Sequence, residues 1–217
     1  MSVQRLPVSE NEKDNEPIPR HSRVLSRIID LFCSIIGLLL LLPIFAIVGA
    51  AIKLQDGGPV FYRQVRVGRD FQPFRLYKFR SMVANADRDG LLTSPGDSRV
   101  TAVGMFLRQH KLDELPQLLN VLKGDMQLVG ARPEVEQYVS MFQPEYARIL
   151  REPPGITDPA SLAYMNEERL FLPGRVEEQY VQEILPAKLK LSVAYQESRT
   201  VSSDLRLLLR TVIGLGM

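Results

Sequence analysis

The 217-residue sequence holds one cysteine and two histidines, and each scarcity excludes a class of chemistry. The single cysteine, Cys33, cannot close a disulfide within the chain, and no Cys/His cluster offers a zinc site. A reducing, cytosolic setting fits that usage. With only His21 and His110, most histidine-rich metal centres are ruled out and a Ser-His-Asp triad is strained. Neither GxxxxGK followed by Ser or Thr nor GxGxxG occurs, so neither a P-loop nor a Rossmann turn would hold a nucleotide. A net charge of +2 gives no whole-chain argument for nucleic acid, and none is expected as a partner.

What is present falls into four parts. Residues 1–20 are polar with three prolines and no period, and read as a disordered tail rather than a signal peptide. Residues 21–54 contain IIDLFCSIIGLLLLLPIFAIVGAAI from Ile28 to Ile52, whose one formal charge is Asp30. About 20 apolar residues suffice to span a bilayer as a helix. A single spanning helix satisfies the hydropathy, but two features favour a re-entrant hairpin of helix, break and helix. Pro43 removes a backbone hydrogen bond past the middle. Basic residues also flank both ends, Arg20, Arg23 and Arg27 before, Lys53, Arg63, Arg66 and Arg69 after. Positive flanks mark the cytoplasmic side, so both ends are expected there.

Residues 55–203 read as a mostly helical α+β domain. VFYRQVRV and PFRLYKFRSM are strand-like, and alternation puts Lys78 and Arg80 on one face. Residues 85–99 read as a loop. Helices are expected at Thr101–Gln109, Leu115–Lys123 with Gly124 as C-cap, Glu134–Phe142, Val176–Glu183 and Lys188–Glu197. PPGITDP, Pro153 to Pro159, reads as a rigid loop. Residues 204–217 form an amphipathic helix that could lie on a membrane surface or pack on the core.

Lys53 to Lys111 holds eleven Lys/Arg against five Asp/Glu. A basic segment beside a membrane element suits anionic headgroups or phosphorylated substrates, although an ordinary solvated surface gives the same count. KLDELPQLLNVLKGD is the most informative stretch. Asp113 falls where an N-cap is expected, Glu114 in the first turn, and Pro116 where early N–H groups lack partners. That is an ordinary helix start. The same physics admits chemistry: N–H groups and the helix dipole would keep Asp113 ionised, able to attack phosphorus and form an acyl phosphate. Glu114 would then position a metal or take a proton. Arg108 and Arg132, the latter held extended by Pro133, offer forked donors for phosphate or surface ion pairs.

Taken together, the chain resembles the bacterial sugar transferases, the small monotopic phosphoglycosyl transferases that start lipid-linked glycan synthesis. The resemblance rests on GGPVFYRQVRVG (Gly57–Gly68), YKFRSM (Tyr77–Met82), LDELPQLLNVLKGDMQLVGARP (Leu112–Pro133) and PPGIT (Pro153–Thr157), and covers roughly residues 22–215. It implies transfer of a sugar 1-phosphate from a UDP-sugar to polyprenol (undecaprenyl) phosphate through a covalent intermediate on Asp113. It further implies catalytic roles for Asp113 and Glu114, with Mg2+ bound beside them, and phosphate or substrate contacts from Lys78, Arg80, Arg108, Arg132 and Thr157. The membrane element would be re-entrant with its break at Pro43, joined to a cytosolic catalytic domain with amphipathic interfacial helices. The enzyme would sit on the cytoplasmic face of the bacterial inner membrane, among lipids, with downstream glycosyltransferases or further copies of itself as partners.

Three positions depart from the family pattern: Ala131 in GARP, Leu42 before Pro43, and Asp158-Pro159 after PGIT. The last is expected near the donor sugar or base, leaving the sugar open. Two rival readings are an inactive membrane scaffold that recruits glycosyltransferases, and a protein that binds anionic lipid without catalysis.

Overall fold

The computed structural model describes residues 20–86, 90–172 and 174–214, so the expected N-terminal tail lies outside the described residues. The apolar segment, expected as helix, break and helix, forms one helix, α1 (Arg20–Asp56), which continues through Pro43 without a break. Roughly 55 Å long if straight, it exceeds the ~30 Å hydrocarbon thickness. One face is buried along its length: Asp30, Ser34, Val48 and Ile52 lie against the rest of the chain, and Gly37 lets the Leu118 side chain approach. The other face leaves Phe32, Leu39, Leu40, Leu42 and Ile47 exposed. A helix this apolar, with only 11% of its most hydropathic window buried, is membrane-associated rather than the core helix of a soluble domain.

Both ends of α1 are fastened to the domain. Near its start, Arg27 donates to the carbonyls of Val121 (2.6 Å) and Leu122 (3.1 Å), and Asp30 accepts from the N–H of Leu128 (3.1 Å). Near its end, Val48 and Ile52 share a core with Phe79 and Leu107.

Two strands follow as the β-branched and aromatic runs predict. β1 (Phe61–Val67) and β2 (Pro73–Phe79) pair antiparallel, Phe61 opposite Phe79 and Val67 opposite Pro73. α2 (Ala102–Gln109) is capped by Thr101, whose hydroxyl accepts from Gly104 N–H. α3 (Gln117–Lys123) ends at Gly124 in the left-handed conformation (φ 86°), as its C-cap position requires. β3 (Gln127–Val129) is followed by α4 (Glu136–Met141) and α5 (Gln143–Ile149).

Gly155–Thr157, expected as loop, is a strand, β4, parallel to β3. Its pairing partner lies 28 residues away, where no local pattern could announce it. The strands close only because Gly155 has no side chain: a Cβ there would meet Gly130 N at 2.1 Å. α6 (Pro159–Ala163) starts at Asp158, which caps it by accepting from Ser161 N–H at 2.7 Å. The two separate helices expected after Val176 are one run. α7 (Val176–Gln179) passes through a π-helical turn, Tyr180–Ile184, into α8 (Leu185–Ser198). The wider turn absorbs Pro186, which would otherwise clash within a regular helix.

α9 (Val201–Gly214) buries Asp204 and Leu207 while exposing Leu205, Leu209, Val212 and Ile213. It therefore packs on the core with one face and leaves the other apolar and uncovered. The largest core cluster sets Tyr138, Tyr146 and Tyr180 among aliphatic side chains of α4, α5, α8 and the π turn. A second joins Leu76, Val121, Met126 and Leu207.

Candidate active site

The chain turns sharply after α2. Lys111 adopts a left-handed conformation (φ 54°), and Leu112–Glu114 forms a single 3₁₀ turn leading into α3. Leu112 and Leu115 both pack against the core under α1 and β2. Residues three apart share a face in a 3₁₀ turn, so Asp113 and Glu114 face the other way. They border a cavity of about 620 Å³. Asp113 is not an N-cap, as the sequence suggested: it sits inside the 3₁₀ turn, and Pro116 occupies the cap position of α3.

Glu114 is held from two sides. Lys78 Nζ lies 3.1 Å from its Oε1, Arg132 Nη1 lies 2.9 Å from its Oε2, and Arg132 Nη2 also donates to Oε1. Burial alone would raise its pKa, but the Arg132 and Lys78 charges and their hydrogen bonds hold it well below the usual carboxylate value. Asp113, only 6% exposed, receives no hydrogen bond on its carboxylate from any described residue. Burial and the neighbouring Glu114 charge raise its pKa. The backbone N–H groups expected to hold Asp113 do not reach it, and burial raises its pKa while the charges of Lys78, Arg108 and Lys111 pull it down.

The expected substrate residues all border this one cavity, although four elements carry them. Lys78 is the last but one residue of β2, and Arg80 follows the strand. Arg80 is bound to Asp56 at the end of α1, and Arg108 to Glu168 at 3.2 Å. Arg132 follows β3. Thr157 ends β4, its Oγ1 2.8 Å from Thr211 Oγ1 on α9. Burial lowers the Lys78 pKa against the pull of Glu114, and the Glu114 charge raises that of Arg132. Pro43 is exposed on α1 and lies apart from the cavity. Asp158, expected near the donor, is 1% exposed and spends its oxygens on Ser161 and Ser192, so its role is to hold α6.

Among the cavity residues that sequence reasoning missed are Glu134, Tyr180, Glu167 and Lys188. Glu134 accepts from Arg66 (2.8 Å) and Tyr180 (2.7 Å). Glu167 accepts from Lys188 at 2.7 Å. The position of Glu134 directly after Arg132-Pro133 was an available signal; nothing local marked Tyr180, Glu167 or Lys188.

Among the described residues no three Asp, Glu, His or Cys side chains gather to hold a metal. Magnesium is commonly bound through one or two carboxylates plus substrate phosphates. The unengaged carboxylate of Asp113 fits that donor set. Glu114 fits it poorly, because both its oxygens already accept from cations.

A sequence model described as bacterial sugar transferase matches residues 21–216. The UDP-glucose:undecaprenyl-phosphate glucose-1-phosphate transferase of Caulobacter vibrioides is 36% identical over 201 residues, 90% of this chain and 72% of that protein. The UDP-N-acetylgalactosamine-undecaprenyl-phosphate N-acetylgalactosaminephosphotransferase of Aeromonas hydrophila is 41% identical over 146 residues, 64% of this chain and 34% of that protein. The Escherichia coli UDP-glucose:undecaprenyl-phosphate glucose-1-phosphate transferase is 41% identical over 146 residues, 65% of this chain and 31% of that protein. The similarity thus spans about a third of the two longer relatives and most of the Caulobacter one.

Proposed function

The chain belongs to the bacterial sugar transferase family, and on that premise we propose that it moves a sugar 1-phosphate from a UDP-sugar to undecaprenyl phosphate, with Asp113 carrying the phosphosugar between them. The observation that carries the role of Asp113 is its contrast with Glu114: one cavity-facing carboxylate is free, the other fully engaged. A free carboxylate beside cations suits a nucleophile.

In the first step an oxygen of ionised Asp113 attacks the sugar-bearing phosphorus. The bond from that phosphorus to the bridging oxygen breaks, and UMP leaves with the electron pair. In the second, a phosphate oxygen of the lipid attacks the same phosphorus, the acyl–phosphate bond breaks, and Asp113 is regenerated as a carboxylate. The product is undecaprenyl diphosphosugar. Lys78 and Arg132 lie where phosphate charge develops, and Glu114 sets their positions; its low pKa makes it a weak base. Arg80 and Arg108 extend the cationic wall toward the diphosphate, and Thr157 offers a hydroxyl. Asp113, together with substrate phosphates, would hold magnesium, which would supply further charge neutralisation.

The soluble donor and the lipid acceptor must meet at headgroup depth. We place the domain on the cytoplasmic face of the bacterial inner membrane, with α1 entering and returning on that side and Pro43 marking its bend. Support comes from α1 itself: Arg27 near one end and Ile52 near the other both touch the same domain. Isotope exchange tests the chemistry. Labelled UMP should enter the UDP-sugar pool with magnesium and no lipid acceptor, as a ping-pong route requires. Exchange that appears only once undecaprenyl phosphate is added would overturn the covalent route.

A further inference from the structure

The cavity is sorted by charge. Around Asp113 and Glu114 the wall gathers five basic side chains, Lys78, Arg80, Arg108, Lys111 and Arg132, four of which are also paired with carboxylates. Such a wall matches phosphate oxygens. Beyond Arg132 its character changes. Glu167, close enough to Arg132 for its charge to raise the guanidinium pKa, is paired with Lys188 across 2.7 Å. Lys188 is 7% exposed, and its ammonium lies 5.4 Å from the Tyr180 ring centroid.

This pair carries no net charge, so it adds no net positive charge to the wall. As a stabilising device it is a poor choice, because desolvating two charges offsets most of their attraction. Its unused capacity is the informative part. Glu167 Oε1 accepts nothing from the described residues, and only one of the three Lys188 ammonium donors has a hydrogen-bond acceptor among them. A fixed acceptor next to a fixed donor matches neighbouring groups on a pyranose ring, where a hydroxyl donates and an adjacent hydroxyl or amide carbonyl accepts. A site built to hydrogen-bond such groups rejects an analogue lacking them far more strongly than an apolar pocket does.

We propose that Glu167 and Lys188 read the sugar of the donor and set which UDP-sugar is accepted. The inference rests on the transferase reading above. In it the diphosphate lies on the cationic wall, and the hexose extends past Arg132 onto the pair.

The experiment is equilibrium binding to the full chain in nanodiscs, wild type against Lys188→Met and Glu167→Gln. The probes are UMP, UDP-glucose, UDP-galactose, UDP-N-acetylglucosamine and UDP-N-acetylgalactosamine. UMP carries base and phosphate but no sugar, so its affinity should stay within about twofold in both variants. The preferred UDP-sugar should lose about tenfold or more, and the spread among the four donors should collapse. Glu167→Gln keeps the side-chain shape at a partly exposed position and covers the case in which Lys188→Met misfolds. Equal weakening of UMP and every donor would overturn the proposal by making the pair a structural strap. An unchanged preference would overturn it as well. A wild type that selects one sugar yet releases no UMP with undecaprenyl phosphate would defeat the transferase reading while leaving the sugar-reading pair intact.

Discussion

Asp113 and Glu114 are consecutive residues on one 3₁₀ turn, and their carboxylates meet opposite fates: Glu114 is gripped by Lys78 and Arg132, while Asp113 has no hydrogen-bond partner among the described residues. The grip lowers the Glu114 pKa, and the resulting fixed negative charge, added to burial, raises that of Asp113. Paired acids pushed apart in this way commonly divide a reaction between them.

Asp113→Asn should abolish transfer, with loss on the order of 10⁴-fold or more, since the adjacent carboxylate, Glu114, is held by Lys78 and Arg132. UMP release measures the rate, and mass spectrometry of protein quenched with donor measures the adduct. Wild-type turnover in the variant would remove Asp113 from the nucleophile's role.

Glu114→Gln tests the electrostatic coupling. Because the Glu114 charge raises the Asp113 pKa, its removal should lower that pKa, and freeing Lys78 and Arg132 pushes in the same direction. Asp113 must be ionised to attack. The acid limb of kcat/KM should therefore move to lower pH in the variant, even as the plateau falls through misplaced cations. A limb that stays put or moves upward contradicts the coupling.

Gly155→Ala probes how the site is assembled. The added Cβ would come within 2.1 Å of Gly130 N and 2.4 Å of Gly130 O, so β3 and β4 would be forced apart. We expect a loss of about 2–4 kcal/mol in stability, read by thermal unfolding. Activity should fall with it, because Arg132 and Thr157 hang from those strands.

Topology is read by labelling. In a Cys33→Ser background, Val24→Cys and Leu54→Cys bracket α1 at exposed positions. Both should react with an impermeant maleimide in inverted inner-membrane vesicles and neither in intact cells treated from outside. Reaction of one site from each side would establish a span instead.

The long apolar helix, the strands β1 and β2, and α3 were legible because each rests on a local signal: hydropathy, a β-branched and aromatic run, a Gly terminator. β4 was not legible, since parallel pairing links residues far apart through backbone bonds that carry no side-chain pattern. The candidate site divides similarly. The resemblance to the family implied roles for Asp113, Glu114, Lys78, Arg80, Arg108, Arg132 and Thr157, all of which border the cavity. Glu167 and Lys188 had no such mark, being a common acid and base whose meaning arises only from facing each other across 2.7 Å.

By itself the sequence determined that the chain carries a membrane helix and an acidic dyad beside scattered basic residues, because these follow from composition and short-range spacing. Tertiary structure alone decided which carboxylate is left free, which cations are tied up, and where a neutral pair interrupts a positive wall. Those outcomes depend on burial and on charges brought together from distant segments, and Coulomb's law acts through space rather than along the chain.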